Sequence, residues 1–455
     1  MDSLSSSSFI STFSPASSLL LPRPSSSRRL LRINSAVVEE RSPITNPSQN
    51  NDLPPSKPKK LYTRTNHTAV SSPAKPRQQT SLATALFTTM EEVINTFIDP
   101  PSRPSVDPKH VLSDNFAPVL DELPPTECEI IHGSLPPSLN GAYIRNGPNP
   151  QFLPRGPYHL FDGDGMLHAI RIRDGKATLC SRYVKTYKYN VHDFAITKRH
   201  AIFSEIQIRM RMDSMLEGGS PVGADNGKTP RLGVIPRYAE DESEMKWFEV
   251  PGFNIIHAIN AWDEDDGDTI VLIAPNIMSI EHTLERMELV HALVEKVKID
   301  LVTGIVTRHP ISARNLDFAV INPAFVGRQS RYVYAAIGDP MPKISGVVKL
   351  DVTKGDRNDC TVARRMYGPG CYGGEPFFVA RDPGNPEAEE DDGYVVTYVH
   401  DEVAGESKFL VMDATSPELE IVAAVRLPRR VPYGFHGLFV KESDLNKLYR
   451  ISLGN

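Results

Sequence analysis

Only four cysteines occur in 455 residues, Cys128, Cys180, Cys360 and Cys371, widely spaced and without a CxxC pair. That argues against a thiolate zinc site and against a disulfide-stapled scaffold, and it leaves separate reduced thiols. HExxH, GxSxG and the glycine-rich phosphate loop are all missing, which removes the common zinc-peptidase, serine-hydrolase and P-loop chemistries. Surplus positive charge is missing too. Lys and Arg total 50 against 56 Asp and Glu, a formal net charge of −6, so no nucleic-acid partner is expected. The apolar run Leu19-Leu20-Leu21 is far too short to span a bilayer. Strand–helix–strand alternation is absent, whereas 39 prolines and 29 glycines are plentiful, as in a turn-rich all-β protein.

Acidic residues are almost absent at the N-terminus, where Asp2 is the only one before Glu39. Serine runs (Ser5 to Ser8, Ser25 to Ser27) and Arg23, Arg28, Arg29 and Arg32 fill residues 1–40. A Ser- and Arg-rich, acid-poor leader has the composition of an organelle transit peptide, and MDSLSSSSF points to the plastid. Residues 41–80 are polar and Pro/Ser/Lys-rich and read as disordered linker. Residues 81–99 change character. Leu82, Leu86, Met90, Val93, Ile94, Phe97 and Ile98 recur at helical spacing, Ser81 can cap the start, and Pro100-Pro101 stop it. Such a helix either packs on its own core or dips into a membrane or lipid-droplet surface.

Beyond Val106, short apolar strands alternate with Asp/Gly turns at roughly ten-residue spacing: 141–150, 158–179, 332–339, 346–356, 393–402 and 407–414. A helix is expected over 283–297, TLERMELVHALVEKV. A long antiparallel meander of this kind suggests a propeller or a barrel, and periodicity alone leaves that choice open.

Thirteen histidines are present, and three differ from the rest by context. His192 in VHDFAIT, His257 in FNIIHAINAWDE and His436 in VPYGFHGLFV each adjoin a turn or strand end among apolar residues. Neutral imidazole is a versatile ligand for first-row transition metals. His168 reads as a core-facing strand residue. A metal-bound imidazole usually donates its other N–H to a carboxylate. Glu375 in CYGGEPFF and Asp317 in RNLDFAVIN sit in surroundings apolar enough to make an unpaired charge costly, so they are the candidate partners. Asp193, Asp263 and Glu264 are expected to face away or toward turns.

These segments resemble the carotenoid cleavage dioxygenases, and most closely their plant plastid branch, the fourth class. The matching pieces are NGAYIRNGPNP, HLFDGDGMLHAIRI, HDFAIT, GGSPVG, WFEVPGFNIIHAINAWDE, RNLDFAVINPAF, PKISGVVKLD, YGGEPFF, YVHDE and RLPRRVPYGFHGLFV, spread over residues 106–445. The resemblance implies a seven-bladed β-propeller with a helical cap, iron(II) held on the axis by four histidines, and carboxylates that orient three of them. It further implies O2 as co-substrate and scission of a conjugated double bond of a carotenoid or apocarotenoid, often at 9,10 (9′,10′), to apocarotenoid aldehydes or ketones. The implied surroundings are a plastid membrane or plastoglobule surface; no protein partner is expected. Carried over by motif, His192, His257 and His436 are ligands, and Glu375 and Asp317 are orienting carboxylates. Many relatives have Glu where Asp317 stands, and Asp reaches less far.

One departure is large. Residues 181–190, SRYVKTYKYN, run straight into VHDFAIT, and no A-H-P motif, the family's site of the first ligand, occurs anywhere. An internal segment of two to three blades is expected to be missing near 190/191, and residues 446–455 form an atypical tail. The alternatives to an active dioxygenase are therefore a catalytically impaired splice-type variant that still binds carotenoid or a lipid surface, and an unstable by-product.

Overall fold

A computed structural model describes residues 102–452 apart from 152, 153, 155, 162, 184–192, 211–219, 221, 284 and 355–358. The expected leader, linker and amphipathic helix, with Leu82, Leu86, Met90, Val93, Ile94, Phe97 and Ile98, lie outside the described residues, and so does His192. Antiparallel strands repeat in groups of four. The first blade joins Gly141–Pro148, Gly165–Arg173 and Lys176–Tyr183 to the late strand Phe435–Lys441. The second is Ala195–Ile196, His200–Glu205, Arg231–Pro236 and Lys246–Glu249. The third is Asn260–Asp263, Thr269–Ile277, Ala292–Asp300 and Val306–Pro310. The fourth is Leu316–Val320, Tyr332–Ile337, Gly346–Asp351 and Thr361–Met366. The fifth is Phe377–Ala380, Gly393–Asp401, Glu406–Asp413 and Ile421–Arg426, with Cys371–Gly373 alongside Gly393–Asp401.

This is the all-β propeller architecture that the motifs implied, with five blades among the described residues. Two sutures tie early chain to late chain. Phe435–Lys441 pairs with Gly141–Pro148 inside the first blade. Leu123–Gly133 bonds to Lys176–Tyr183 through its first half and to Ile421–Arg426 through its second, fusing the first and fifth blades into one ten-stranded sheet.

Local chemistry accounts for the strands. Asp174 and Gly175 both take positive φ, 51° and 73°, giving the two-residue turn whose twist suits a hairpin. Thr269–Ile277 is buried at every position after Thr269, because blades cover both of its faces; its sequence is accordingly a nearly continuous apolar run. Hydrophobic clusters fill the seams between blades: Phe253, Leu272 and Val234 between the second and third, Val271, Val333 and Leu316 between the third and fourth. Tyr334, Phe378 and Val395 fill the next seam, and Tyr143, Phe409 and Val411 join the fifth blade to the first. Among the described residues no cluster joins the strands of the first blade to those of the second.

The helix expected over 283–297 does not form. Short 3-10 turns at Ile280–His282 and Met287–Leu289 lead into the strand Ala292–Asp300. Val294, Val297 and Ile299 are fully buried and β-branched, and the strand pairs on both sides, with Thr269–Ile277 and Val306–Pro310. Apolar spacing over a short window satisfies either period, and pairing between two strands decided for the sheet. The described α-helices are Pro108–Val111 and Glu442–Ser452; the latter takes up most of the atypical tail.

Candidate active site

Four successive blades each deliver one polar residue to a common centre. His257 precedes the first strand of the third blade, and Asp317 lies in the first strand of the fourth. Glu375 stands between Cys371–Gly373 and Phe377–Ala380 of the fifth, and His436 lies in the first blade's late strand. The His257 and His436 rings meet edge to face with centroids 5.4 Å apart.

Each imidazole is backed by one of the expected carboxylates. Asp317 Oδ1 accepts from His257 Nδ1 at 2.8 Å, and from the Phe318 N–H at 2.7 Å. A carboxylate only accepts, so the proton is on Nδ1, and Nε2 is the nitrogen through which this ring would ligate a metal. Burial pushes the His257 imidazole down, but the charges of Asp317, Glu375 and Asp193 outweigh it and raise the ring to about 9. Glu375 Oε2 accepts the backbone N–H of His436 and lies 3.4 Å from its Nδ1. The Glu375 carbonyl itself accepts from Tyr143 and Thr397 hydroxyls, both at 3.3 Å, which fixes the loop.

Backbone strain concentrates here. His436 has φ 58° and Phe318 has φ 48°, the left-handed region that costs a bulky side chain on the order of 1–3 kcal/mol. Close approach explains two glycines. A Cβ on Gly374 would stand 2.8 Å from Arg145 Nη1 and 2.9 Å from Gly434 O, and one on Gly434 would stand 2.6 Å from Asn146 O. Arg145 is fully buried, donates to the Pro432 carbonyl and lies 5.0 Å from the Tyr398 ring centre. Phe161, Phe318 and Phe435 form an aromatic wall, with centroid separations of 5.1 to 6.0 Å. Behind it a cavity of about 20 Å³, bordered by Glu375, Ile344 and Tyr433, has room for roughly one water.

The structure thus brings together His257, His436, Asp317 and Glu375. Asp317 reaches its imidazole despite the shorter side chain. Among the described residues no group of three or more His, Cys, Asp and Glu is arranged to hold a metal. Asp263 and Glu264 serve His200 (2.9 Å) and Lys298 (2.8 Å), away from the centre. His168 is buried in its strand, with Nδ1 2.9 Å from Ser181 Oγ. Asp193 corrects the expectation that it faces away. It is largely buried, accepts from the Ala258 N–H at 2.8 Å, and its charge acts on both His257 and His436. Burial wins over its hydrogen bonds and raises its carboxyl. Arg145 also went unnoticed in the sequence; its alternation with Tyr143 and Gly147 placed it on the buried face of Gly141–Pro148.

The family model described as retinal pigment epithelial membrane protein matches residues 116–191 and 190–441. A probable chloroplastic carotenoid cleavage dioxygenase 4 of Arabidopsis thaliana is 66% identical over 596 aligned positions, covering 98% of this chain and 100% of that protein. A chloroplastic 9-cis-epoxycarotenoid dioxygenase of Oryza sativa subsp. japonica is 46% identical, covering 81% of this chain and 82% of the relative. In structure, a variant of the Synechocystis apocarotenoid oxygenase superposes with a TM-score of 0.63 at 19% identity, over 74% of this chain and 100% of the other. With a matching family model over most of the described blades and a close relative aligned along nearly its whole length, the chain belongs to the carotenoid cleavage dioxygenases.

Proposed function

We propose that this chain is a shortened carotenoid oxygenase of the plastid. In this reading it holds one iron(II) through His257, His436 and His192 and cleaves a carotenoid or long apocarotenoid at the 9,10 (9′,10′) bond. The observation that carries the reading is the meeting of His257 and His436, each backed by its own carboxylate, at the convergence of four blades. The donor set fits: neutral imidazoles oriented by carboxylates suit a divalent first-row metal with open positions. When bound, iron(II) would supply activation of O2 next to a conjugated double bond. The chain's own residues do the rest. Asp317 holds the His257 ring, Glu375 holds the His436 backbone N–H and lies beside its ring, and Phe161, Phe318 and Phe435 line the site with apolar surface.

In this reading the shortening falls between the first and second blades. Supporting it are the two family matches that meet at 190/191, and an alignment of 596 positions against 455 residues, which leaves well over a hundred of the relative's residues without a counterpart. A second reading is favoured by one observation, the absence of any A-H-P histidine: a variant that binds carotenoid without turning it over. The chloroplastic names of the relatives support plastid residence. The amphipathic pattern from Leu82 to Ile98 supports contact with a plastid membrane or plastoglobule, with no protein partner required.

Iron content of the purified, monodisperse chain, together with product analysis after aerobic incubation with carotenoid and added iron(II), tests the proposal. One iron per chain and 9,10 apocarotenoids are expected. Bound carotenoid that stays coloured under full iron loading supports the non-catalytic variant and rejects the oxygenase.

A further inference from the structure

We infer that Asp193 is a positioning residue that staples the His192 segment of the second blade to the His257 segment of the third. Its two oxygens are spent on two backbone amides. Oδ1 accepts the N–H of Phe194 at 2.8 Å, and Oδ2 accepts the N–H of Ala258, also at 2.8 Å. Asp193 follows His192 in sequence, and Ala258 follows His257, so one carboxylate links the residues next to two proposed ligands. The contact crosses a blade boundary, where neither residue has a sheet hydrogen bond to hold it.

The surroundings keep the carboxylate in place. The Phe194 ring stacks on Phe203 of its own blade, with centroids 5.2 Å apart and planes 17° from parallel. Ile202, Ile255 and Leu272 line the seam beside it, and the space left there is about 10 Å³, close to the smallest that holds a water. Two charge-assisted bonds in a nearly dry seam are strong and directional. The strands of the second and third blades belong to separate sheets, so the bond to Ala258 joins two blades that no strand pairing connects. A metal that needs both imidazoles would depend on the staple to keep the two segments at fixed separation, as carboxylates do for ligands they touch directly.

The inference rests on the metal reading for its purpose but not for its geometry, and the test separates the two. Three full-length chains are compared with the wild type: Asp193→Ala, which loses both acceptors; Asp193→Asn, whose amide keeps one; and Asp300→Asn, a control at a carboxylate that accepts the Val302 and Thr303 amides within one turn of the third blade. Amide hydrogen exchange at Phe194 and Ala258 is read without metal, and cobalt(II) titration is read by affinity and visible spectrum. Expected are exchange at Ala258 at least tenfold faster in Asp193→Ala, cobalt affinity lower by about 10–100-fold with an altered spectrum, a smaller change in Asp193→Asn, and none in the control. If the wild type takes up no cobalt but Asp193→Ala still unprotects Ala258, the staple stands and the metal reading falls. Unchanged Ala258 exchange overturns the inference, and so does cobalt binding by a folded Asp193→Ala chain as tight as that of a wild type that does take up cobalt. Should Asp193→Ala fail to fold, Asp193→Asn decides by the same two readings.

Discussion

His257 Nδ1 and Asp317 Oδ1 lie 2.8 Å apart, across the boundary between the third and fourth blades. Asp317 is therefore both an electrostatic partner of the ring and a tie between sheets. Replacing it with Ala removes two accepted hydrogen bonds, from the His257 ring and from the Phe318 N–H. Cobalt affinity is expected to fall by about 10–100-fold. Stability is expected to fall by about 1–3 kcal/mol, the cost of a buried donor left unmade. Asp317→Glu is the sharper test. Asp317 already reaches the ring and is 6% exposed, so an extra methylene must be accommodated in a filled site at about 1–3 kcal/mol. Chemical denaturation and cobalt titration are expected to show Asp317→Glu impaired, although the longer residue is the one the resemblance favours here.

The raised His257 imidazole sets a pH dependence with a definite sign. Its folded value of about 9 lies above the roughly 6.5 of an unperturbed imidazole. Folding therefore takes up a proton between these values. The stabilisation is fully present below about pH 6.5 and is lost as pH rises through about 9. For the metal the sign reverses, because the ligand must be neutral. Metal-free chains are expected to lose stability in urea melts between pH 7 and 9. Cobalt affinity is expected to rise by about one decade per pH unit over the same interval, as one proton is displaced per metal. Asp317→Asn removes the dominant raising charge, so it is expected to flatten both trends.

The strands were legible wherever pattern and turn agreed, as at Asp174-Gly175 between two alternating segments. They were illegible where only tertiary pairing chooses, as in Ala292–Asp300, whose apolar spacing over a short window also fits a helix. At the site, His257, His436, Asp317 and Glu375 could be named because each stands in a long, ordered motif. Asp193 was misplaced because its partner, the Ala258 N–H, belongs to another blade, and no local pattern reveals where a side chain goes across a seam. Arg145 left a weak trace, a cation on the same face as Tyr143, but its role depends on Gly374 and Gly434, far away in sequence.

Gly374 joins those distant segments. A methyl group there would meet the Gly434 carbonyl at 2.9 Å as well as the Arg145 guanidinium at 2.8 Å. The guanidinium cannot swing aside cheaply, because it is enclosed and tied to Pro432. Backbone on the other side must move instead, and it is the backbone that leads to His436. Gly374→Ala is expected to cost about 1–3 kcal/mol and to weaken cobalt binding, since Glu375 follows directly. Ala at Gly304 gives the comparison: Gly304 has φ 76° and no neighbour within 4 Å, so only local strain of about 1 kcal/mol is expected. Thermal melts of the two variants rank the effects.

Two ion pairs of equal length distinguish burial from distance. Arg308–Glu295 and Arg426–Glu129 are both 2.7 Å, but the carboxylate side chains are 4% and 65% exposed. Arg426→Ala is expected to cost less than about 1 kcal/mol, because water solvates the carboxylate left behind. Arg308→Ala leaves Glu295 buried with Asn276 Nδ2 as its hydrogen-bond donor at 2.8 Å. Breaking a fully buried pair costs about 3–5 kcal/mol, and the part-exposed arginine lowers this to about 2–3 kcal/mol. The damage should also reach the site. Asn276 Oδ1 accepts the Asn254 N–H at 2.9 Å, and Asn254 starts the stretch that ends at His257. Urea melts are expected to separate the two alanine variants by more than 1 kcal/mol, a gap that their equal bond lengths do not predict. Cobalt titration is expected to show weaker binding in Arg308→Ala alone.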